Sequence, residues 1–124
     1  MQRYGMVVGL RAKKLTEYKK IHSAVWPAVL KMIRRCQIRN YSIYLRQLAG
    51  RHYLFSYFEY TGTNFKGDMA KMAADPTTQK WWAICMPCQV PLPGRAPGDW
   101  WANMEAVCHT AGARKKSRNR RADR

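Results

Sequence analysis

Residues 4–11 (Tyr-Gly-Met-Val-Val-Gly-Leu-Arg) form a short, apolar, β-leaning run that predicts a central strand. From Lys13 to about Cys36 the period lengthens. Leu15, Tyr18, His22, Val25, Trp26, Val29 and Ile33 recur every three or four residues, while Lys14, Glu17, Lys20, Lys31 and Arg34 fall on the opposite side. This is the pattern of a long amphipathic helix. Pro27 lies inside it, where it would remove a backbone hydrogen bond and clash with the carbonyl of Ser23. A break is therefore predicted between His22 and Pro27, with Pro27 opening a second helical segment.

Residues 39–48 and 52–60 are rich in β-branched and aromatic side chains, and Ala49-Gly50-Arg51 between them predicts an antiparallel hairpin. Gly62-Thr63-Asn64 breaks the chain, and Phe65 to Ala74 returns to a helical period. Asp75-Pro76 has the form of an N-cap and first helical residue, opening a short helix through Trp81 and Trp82 that ends before Pro87. Prolines and glycines from Pro87 to Gly98 then give a loop with no core-forming period. Met104 to His109 predicts the last strand. The resulting order, βαββαβ with an extra short helix before the last strand, is that of an α+β, ferredoxin-like fold: an antiparallel sheet with helices on one face. The other sheet face needs a cover, and a second copy of the chain would supply it, as in a dimeric α+β barrel.

Composition locates the charge. The chain carries 23 Lys/Arg against 7 Asp/Glu, a net charge of +16. Residues 112–124 hold seven Lys/Arg and one Asp, and contain no apolar side chain larger than Ala. The expected organisation is thus a folded domain over 1–111 and a basic, disordered tail over 112–124, capable of non-specific contact with polyanions. The RNA-recognition fold shares the βαββαβ order, but the third strand here reads Tyr53-Leu-Phe-Ser-Tyr57, without the glycine of that signature. No apolar run approaches a membrane span and no signal-peptide core follows the first residues. A soluble, cytoplasmic protein without membrane association is expected. Cys85-Met-Pro-Cys88 has C-x-x-C spacing, but no second such pair or His pair accompanies it, so ordinary free thiols and no metal site are expected.

Candidate chemistry lies on the long helix. Tyr18, His22 and Trp26 follow one another at four-residue spacing, a drift of about 40° per step, so phenol, imidazole and indole share one ridge. Such a ridge is either core packing or a site with a titratable group between aromatic faces. Taken with Asn40-Tyr41-Ser42-Ile43-Tyr44-Leu45, Trp81-Trp82 and the closing Glu105-Ala-Val-Cys-His109, the motif Tyr18-x₃-His22-x₃-Trp26-Pro27 resembles the L-rhamnose mutarotase family over about residues 4–110. These are small dimeric ferredoxin-like enzymes that interconvert the anomers of 6-deoxy sugars. The stretch from Met69 to Leu92 is similar to members associated with L-fucose as well as L-rhamnose.

The resemblance implies His22 as general acid/base, and Tyr18, Tyr41, Trp81 and Trp82 as residues that contact a monosaccharide substrate. Asn40 is a further candidate contact, and His109 either faces the pocket from the last strand or caps the sheet. Tyr44, an odd number of residues from Tyr41, belongs on the other face of a strand. Trp26 reads as the packed anchor of the helix break. Mutarotation needs only proton transfer, so no cofactor is expected. The chain departs from the family at Ala28 and Ala106, where members commonly carry Glu. A sugar-binding relative without catalysis, and a basic protein binding nucleic acid through its tail, are the competing functional classes.

Overall fold

The computed structural model describes residues 1–112. Its sheet runs β1 (Gln2–Leu10), β2 (Ile38–Leu48), β3 (Arg51–Tyr60), β4 (Gln89–Val90) and β5 (Ala102–Met104), all pairings antiparallel. The spatial order is β2-β3-β1-β4, with β5 also on β1. That is the ferredoxin-like arrangement. Four helices accompany the sheet: α1 (Leu15–His22), α2 (Pro27–Arg35), α3 (Phe65–Ala74) and α4 (Pro76–Cys85).

The predicted break in the first helix is present. α1 ends at His22, and Trp26 adopts an extended ψ of 133° so that Pro27 starts α2 as its first residue. The hairpin turn uses Ala49 (φ 51°) and Gly50 (φ 80°), two left-handed residues of the kind that match the strand twist, and β3 consequently begins at Arg51. α3 has the predicted bounds. Asp75 caps α4, its carboxylate accepting from both the backbone N–H and the hydroxyl of Thr78.

From Tyr53 to Tyr60 β3 alternates half-buried and buried residues. Register partners share a face, so Val8, Leu54 and Leu45 point toward the helices, while Val7, Phe55 and Tyr44 point away. Val8, Leu10, Tyr18, Val29, Leu54, Trp81, Cys85 and Cys88 form the larger core cluster on the helix side.

Two expectations need correction at the C-terminal side. The last strand lies at Ala102–Met104 rather than Met104–His109, and residues 105–112 carry no regular structure. Trp100 and Trp101 pack against the core and bring the chain to β1 immediately afterward, whereas Val107, 92% exposed, offers no anchor further on. The run from Pro87 to Gly98 is also not wholly loop. Cys88 and Gln89 are buried within it, and β4 pairs Gln89 with Leu10 and Val90 with Gly9. The fourth strand of the ferredoxin order is thus delivered as two short pieces on one edge of β1. Gly9 permits the first of these, since a Cβ there would stand 2.8 Å from the carbonyl oxygen of Val90.

Candidate active site

Tyr18 and His22 occupy successive turns of α1, and their rings stack at 4.1 Å between centroids. Trp81, from α4, meets His22 edge-on at 5.1 Å and Trp26 edge-on at 5.1 Å. The ridge read from the sequence therefore exists, with Trp81 inserted against it from a second helix. Trp26 acts there as packing, holding Trp81 while its own backbone makes the turn into α2.

The imidazole is fixed through its Nδ1, which lies 3.0 Å from the carbonyl oxygen of Tyr18. A carbonyl only accepts, so Nδ1 carries the proton and the neutral ring leaves Nε2 as a free base. Burial lowers the His22 pKa from its ordinary value, against the opposing effect of that backbone hydrogen bond. Burial therefore favours the neutral form of His22 more than in a free imidazole. No Asp or Glu bonds to it among the described residues; a backbone carbonyl does the orienting.

Tyr18 is 4% exposed, and burial raises its pKa far above that of a free phenol. Its hydroxyl accepts from Gln89 Nε2 at 2.9 Å, and Gln89 Oε1 accepts from Trp100 Nε1 at 2.7 Å. Sequence reasoning missed Gln89 and Trp100. The available signal was a polar residue set in the otherwise apolar run Ile84 to Leu92, but its burial depends on pairing with β1.

Tyr41 reaches the helix side through a bulge. The β2 register slips between Arg39 and Ser42, and Asn40 takes a left-handed φ of 52°. Tyr41 thereby comes onto the face of Phe58, with ring centroids 5.5 Å apart. The residue keeps 42% of its surface, yet burial at its hydroxyl pushes the pKa up to about 12, with the Cys85 thiol as a lesser cause. Cys85 is itself pushed up to about 12 by burial, so it is a neutral wall of this region. Trp82 is half-buried and packs against both core clusters.

Asn40 and His109 are placed elsewhere. The same bulge turns the Asn40 amide to donate to Glu59 at 2.7 Å, beside the Tyr57 hydroxyl, which donates to the same carboxylate at 2.8 Å. Asn40 first, then Tyr57, holds the Glu59 carboxyl below its ordinary value, and nearby His109 acts in the same direction. Both residues thus belong to a polar group around Glu59, which points away from the helices. A groove of about 510 Å³ between α2 and the edge of β2 is bordered by Leu30, Ile33, Asn40, Tyr41 and Glu59.

Ala28 is exposed in the first turn of α2 and Ala106 is exposed in the irregular C-terminal segment. All four cysteines are free: Cys36, Cys85 and Cys88 are buried, Cys108 exposed. Among the described residues no three His, Cys, Asp or Glu side chains gather as metal ligands, and no helix is long and apolar enough to cross a membrane. The seven basic residues of the tail lie outside the described residues.

Comparison with known proteins adds three findings. A family model described as L-rhamnose mutarotase matches residues 3–110. Proteins named L-rhamnose mutarotase from Oceanobacillus iheyensis and Listeria monocytogenes are each 31% identical to this chain, the first over 87 residues (70% of this chain, 79% of the relative) and the second over 97 residues (78% and 88%). The crystal structure of an L-rhamnose mutarotase from Formosa agariphila superposes with a TM-score of 0.66 at 19% identity, covering 90% of this chain and all of that one, which speaks to the fold.

Proposed function

The chain belongs to the L-rhamnose mutarotase family, and from that premise we propose that it interconverts the α and β anomers of L-rhamnose with His22 as the single general acid/base. The observation that carries this reading is the Nδ1 contact with the Tyr18 carbonyl, which leaves Nε2 of a neutral imidazole free.

Ring opening requires a proton to leave the anomeric hydroxyl and one to reach the ring oxygen. Both oxygens are bonded to C1, so one imidazole can serve both. Nε2 takes the hydroxyl proton as C1=O forms and the C1–O5 bond breaks, and the imidazolium then protonates O5. Rotation about C1–C2 presents the other carbonyl face, and the same steps in reverse close the ring. The lowered His22 pKa suits a group that begins as base. General acid/base catalysis of this kind typically contributes about 10²–10⁴-fold. Tyr18, Tyr41, Trp81 and Trp82 serve as the sugar-contacting residues: indole and phenol faces suit the methyl and C–H surface of a deoxy sugar, and their polar tips suit its hydroxyls. L-Fucose is a second substrate on this reading. Asn40 and His109, both near Glu59, contribute only if sugar or a second chain reaches that face.

The working form is a homodimer joined through the sheet face opposite the helices. That face carries Tyr44 (66% exposed), Leu48 and Met104 in the open, the exposed apolar surface expected of an interface. Light scattering after size-exclusion tests it: a monomer at micromolar concentration removes the dimer. Residues 1–111 form the catalytic domain and 112–124 a separate basic tail, to be tested by deleting 112–124 and finding activity intact. Free thiols fit a reducing, cytoplasmic setting.

The decisive experiment is saturation-transfer NMR of anomer exchange with L-rhamnose and L-fucose, comparing the native chain with His22→Ala. Enzyme-dependent exchange that drops at least a hundredfold in the variant is expected. Unchanged exchange in His22→Ala would sink the mechanism, and sugar binding without exchange by the native chain would make the protein a non-catalytic relative.

A further inference from the structure

Gln89 is 4% exposed, on the two-residue strand β4, and it joins two parts of the chain far apart in sequence. The orientation of its amide follows from its neighbours' chemistry. An indole N–H can only donate, so the Trp100 side must receive the amide oxygen. The amide nitrogen, which only donates, then faces Tyr18. The Tyr18 oxygen is consequently an acceptor in this bond, and its own proton is directed somewhere else.

Among the described residues no protein group takes that proton. The hydroxyl lies near Cys85, Cys88 and the hydroxyl end of Tyr41, in surroundings that keep all four groups protonated. Buried donors without an acceptor are uncommon in folded proteins. Tyr18 is also the residue whose carbonyl orients His22. One residue is therefore held at both ends, its carbonyl directing the imidazole and its hydroxyl directed by Gln89.

We infer that Gln89 is a positioning residue for the mutarotase reaction, oriented by Trp100 so that the Tyr18 hydroxyl acts as a hydrogen-bond donor to an oxygen of the sugar lying beside His22. This rests on the functional reading above. With the amide nitrogen behind it, Tyr18 cannot turn its proton inward, and the sugar meets a donor. Reversing the polarity at position 89 should turn the phenol proton toward the protein and leave the sugar facing an acceptor.

Gln89→Glu and Gln89→Met separate this role from packing, because both keep the side chain's length. In the Gln89→Glu variant a protonated carboxyl can still donate to Tyr18, whereas the carboxylate can only accept from it. KM for L-rhamnose is expected to match the native value at the acid end of the profile and to rise about tenfold, roughly 1.4 kcal/mol, as pH carries the introduced carboxyl through its ionisation; kcat should change less. In the Gln89→Met variant KM should be raised at every pH. Native KM should show no such step. If native chain and both variants share one KM across the pH range while exchange is intact, the inference is overturned.

A second measurement does not need turnover. With tyrosine labelled at Cζ, the Tyr18 resonance, assigned by its loss in Tyr18→Phe, reports whether the phenol donates or accepts. It is expected to move between the native chain and Gln89→Glu in the absence of sugar; a resonance that stays in place overturns the relay, and it does so even if the native chain proves to lack anomer exchange. Should the position-89 variants not fold, Trp100→Phe, at a half-buried site, releases the amide to rotate. The Tyr18 signal should then split or shift, and an unaltered signal there counts equally against the inference.

Discussion

Replacing Gly9 by alanine adds one methyl group at the point where β1 admits β4. Its Cβ would stand 2.8 Å from the Val90 carbonyl oxygen and 3.1 Å from Val90 Cβ, so β4 must retreat by about 0.6 Å to reach ordinary contact at 3.4 Å. The obstructing oxygen is backbone, and no rotamer change relieves it. Overpacking of this kind costs about 1–3 kcal/mol. Gly9 is not among the glycines with positive φ, so the usual gain from restricting the unfolded chain, about 0.4–1 kcal/mol, offsets part of it. A net loss of about 1–2 kcal/mol is expected, read from urea unfolding by linear extrapolation. Gln89 neighbours Val90, and a shift of that size carries its 2.9 and 2.7 Å bonds to Tyr18 and Trp100 toward or past the end of the hydrogen-bonding range. Anomer exchange should therefore fall even at temperatures where the variant is fully folded. A Gly9→Ala protein as stable as the native chain, with native exchange, would refute both the packing estimate and the coupling of β4 to the site.

Three further outcomes are expected. Because the His22 pKa lies below its ordinary 6.5, protonation is disfavoured in the fold: exchange should be level through neutral pH and fall on the acid side of 6.5, and the associated stability, complete above 6.5, should be lost as pH drops through the folded value; a midpoint above 6.5 contradicts this. Ala28→Glu places a carboxylate in the first turn of α2, which has no acidic residue there, and should stabilise the protein by about 0.3–1 kcal/mol, an effect that added salt should diminish. A disulfide-exchange reagent should titrate no more than one thiol per chain, Cys108, before denaturation and all four afterward; rapid reaction of two or more native thiols would mean that the C-x-x-C pair is not buried as described.

Most of the helical layer was legible because its signals are local. Pro27 and the change of phase around it locate the break between α1 and α2, and Asp75-Pro76 announces α4 through its own cap. The hairpin was readable for the same reason. What escaped depends on pairing between distant segments. The apolar run around Gln89 marks it as unusual but does not establish its burial, which depends on pairing with Leu10 and Gly9, some eighty residues earlier. The bulge at Asn40 was likewise invisible to a period-two reading. Uninterrupted alternation from Ile38 would send Asn40 toward the helices and Tyr41 away from them, and one residue with positive φ exchanges the two. For His109 both alternatives, facing the pocket or capping the sheet, rest on a strand predicted too late in the chain; with β5 ending at Met104, it lies near Glu59.

The bulge also bears on how copies of this protein meet. β2 is an outer strand of the sheet, and along its free side a straight ladder of eleven residues would offer unpaired N–H and C=O groups to any extended segment. The register slip between Arg39 and Ser42 cuts that ladder, leaving an unbroken run of only seven residues, Ser42–Leu48, with Arg46 within it. Association strand against strand, the route by which sheets grow into aggregates, is discouraged at the point where Tyr41 is aimed inward. The positive φ of Asn40 thus interrupts the edge on which a further strand would have to pair.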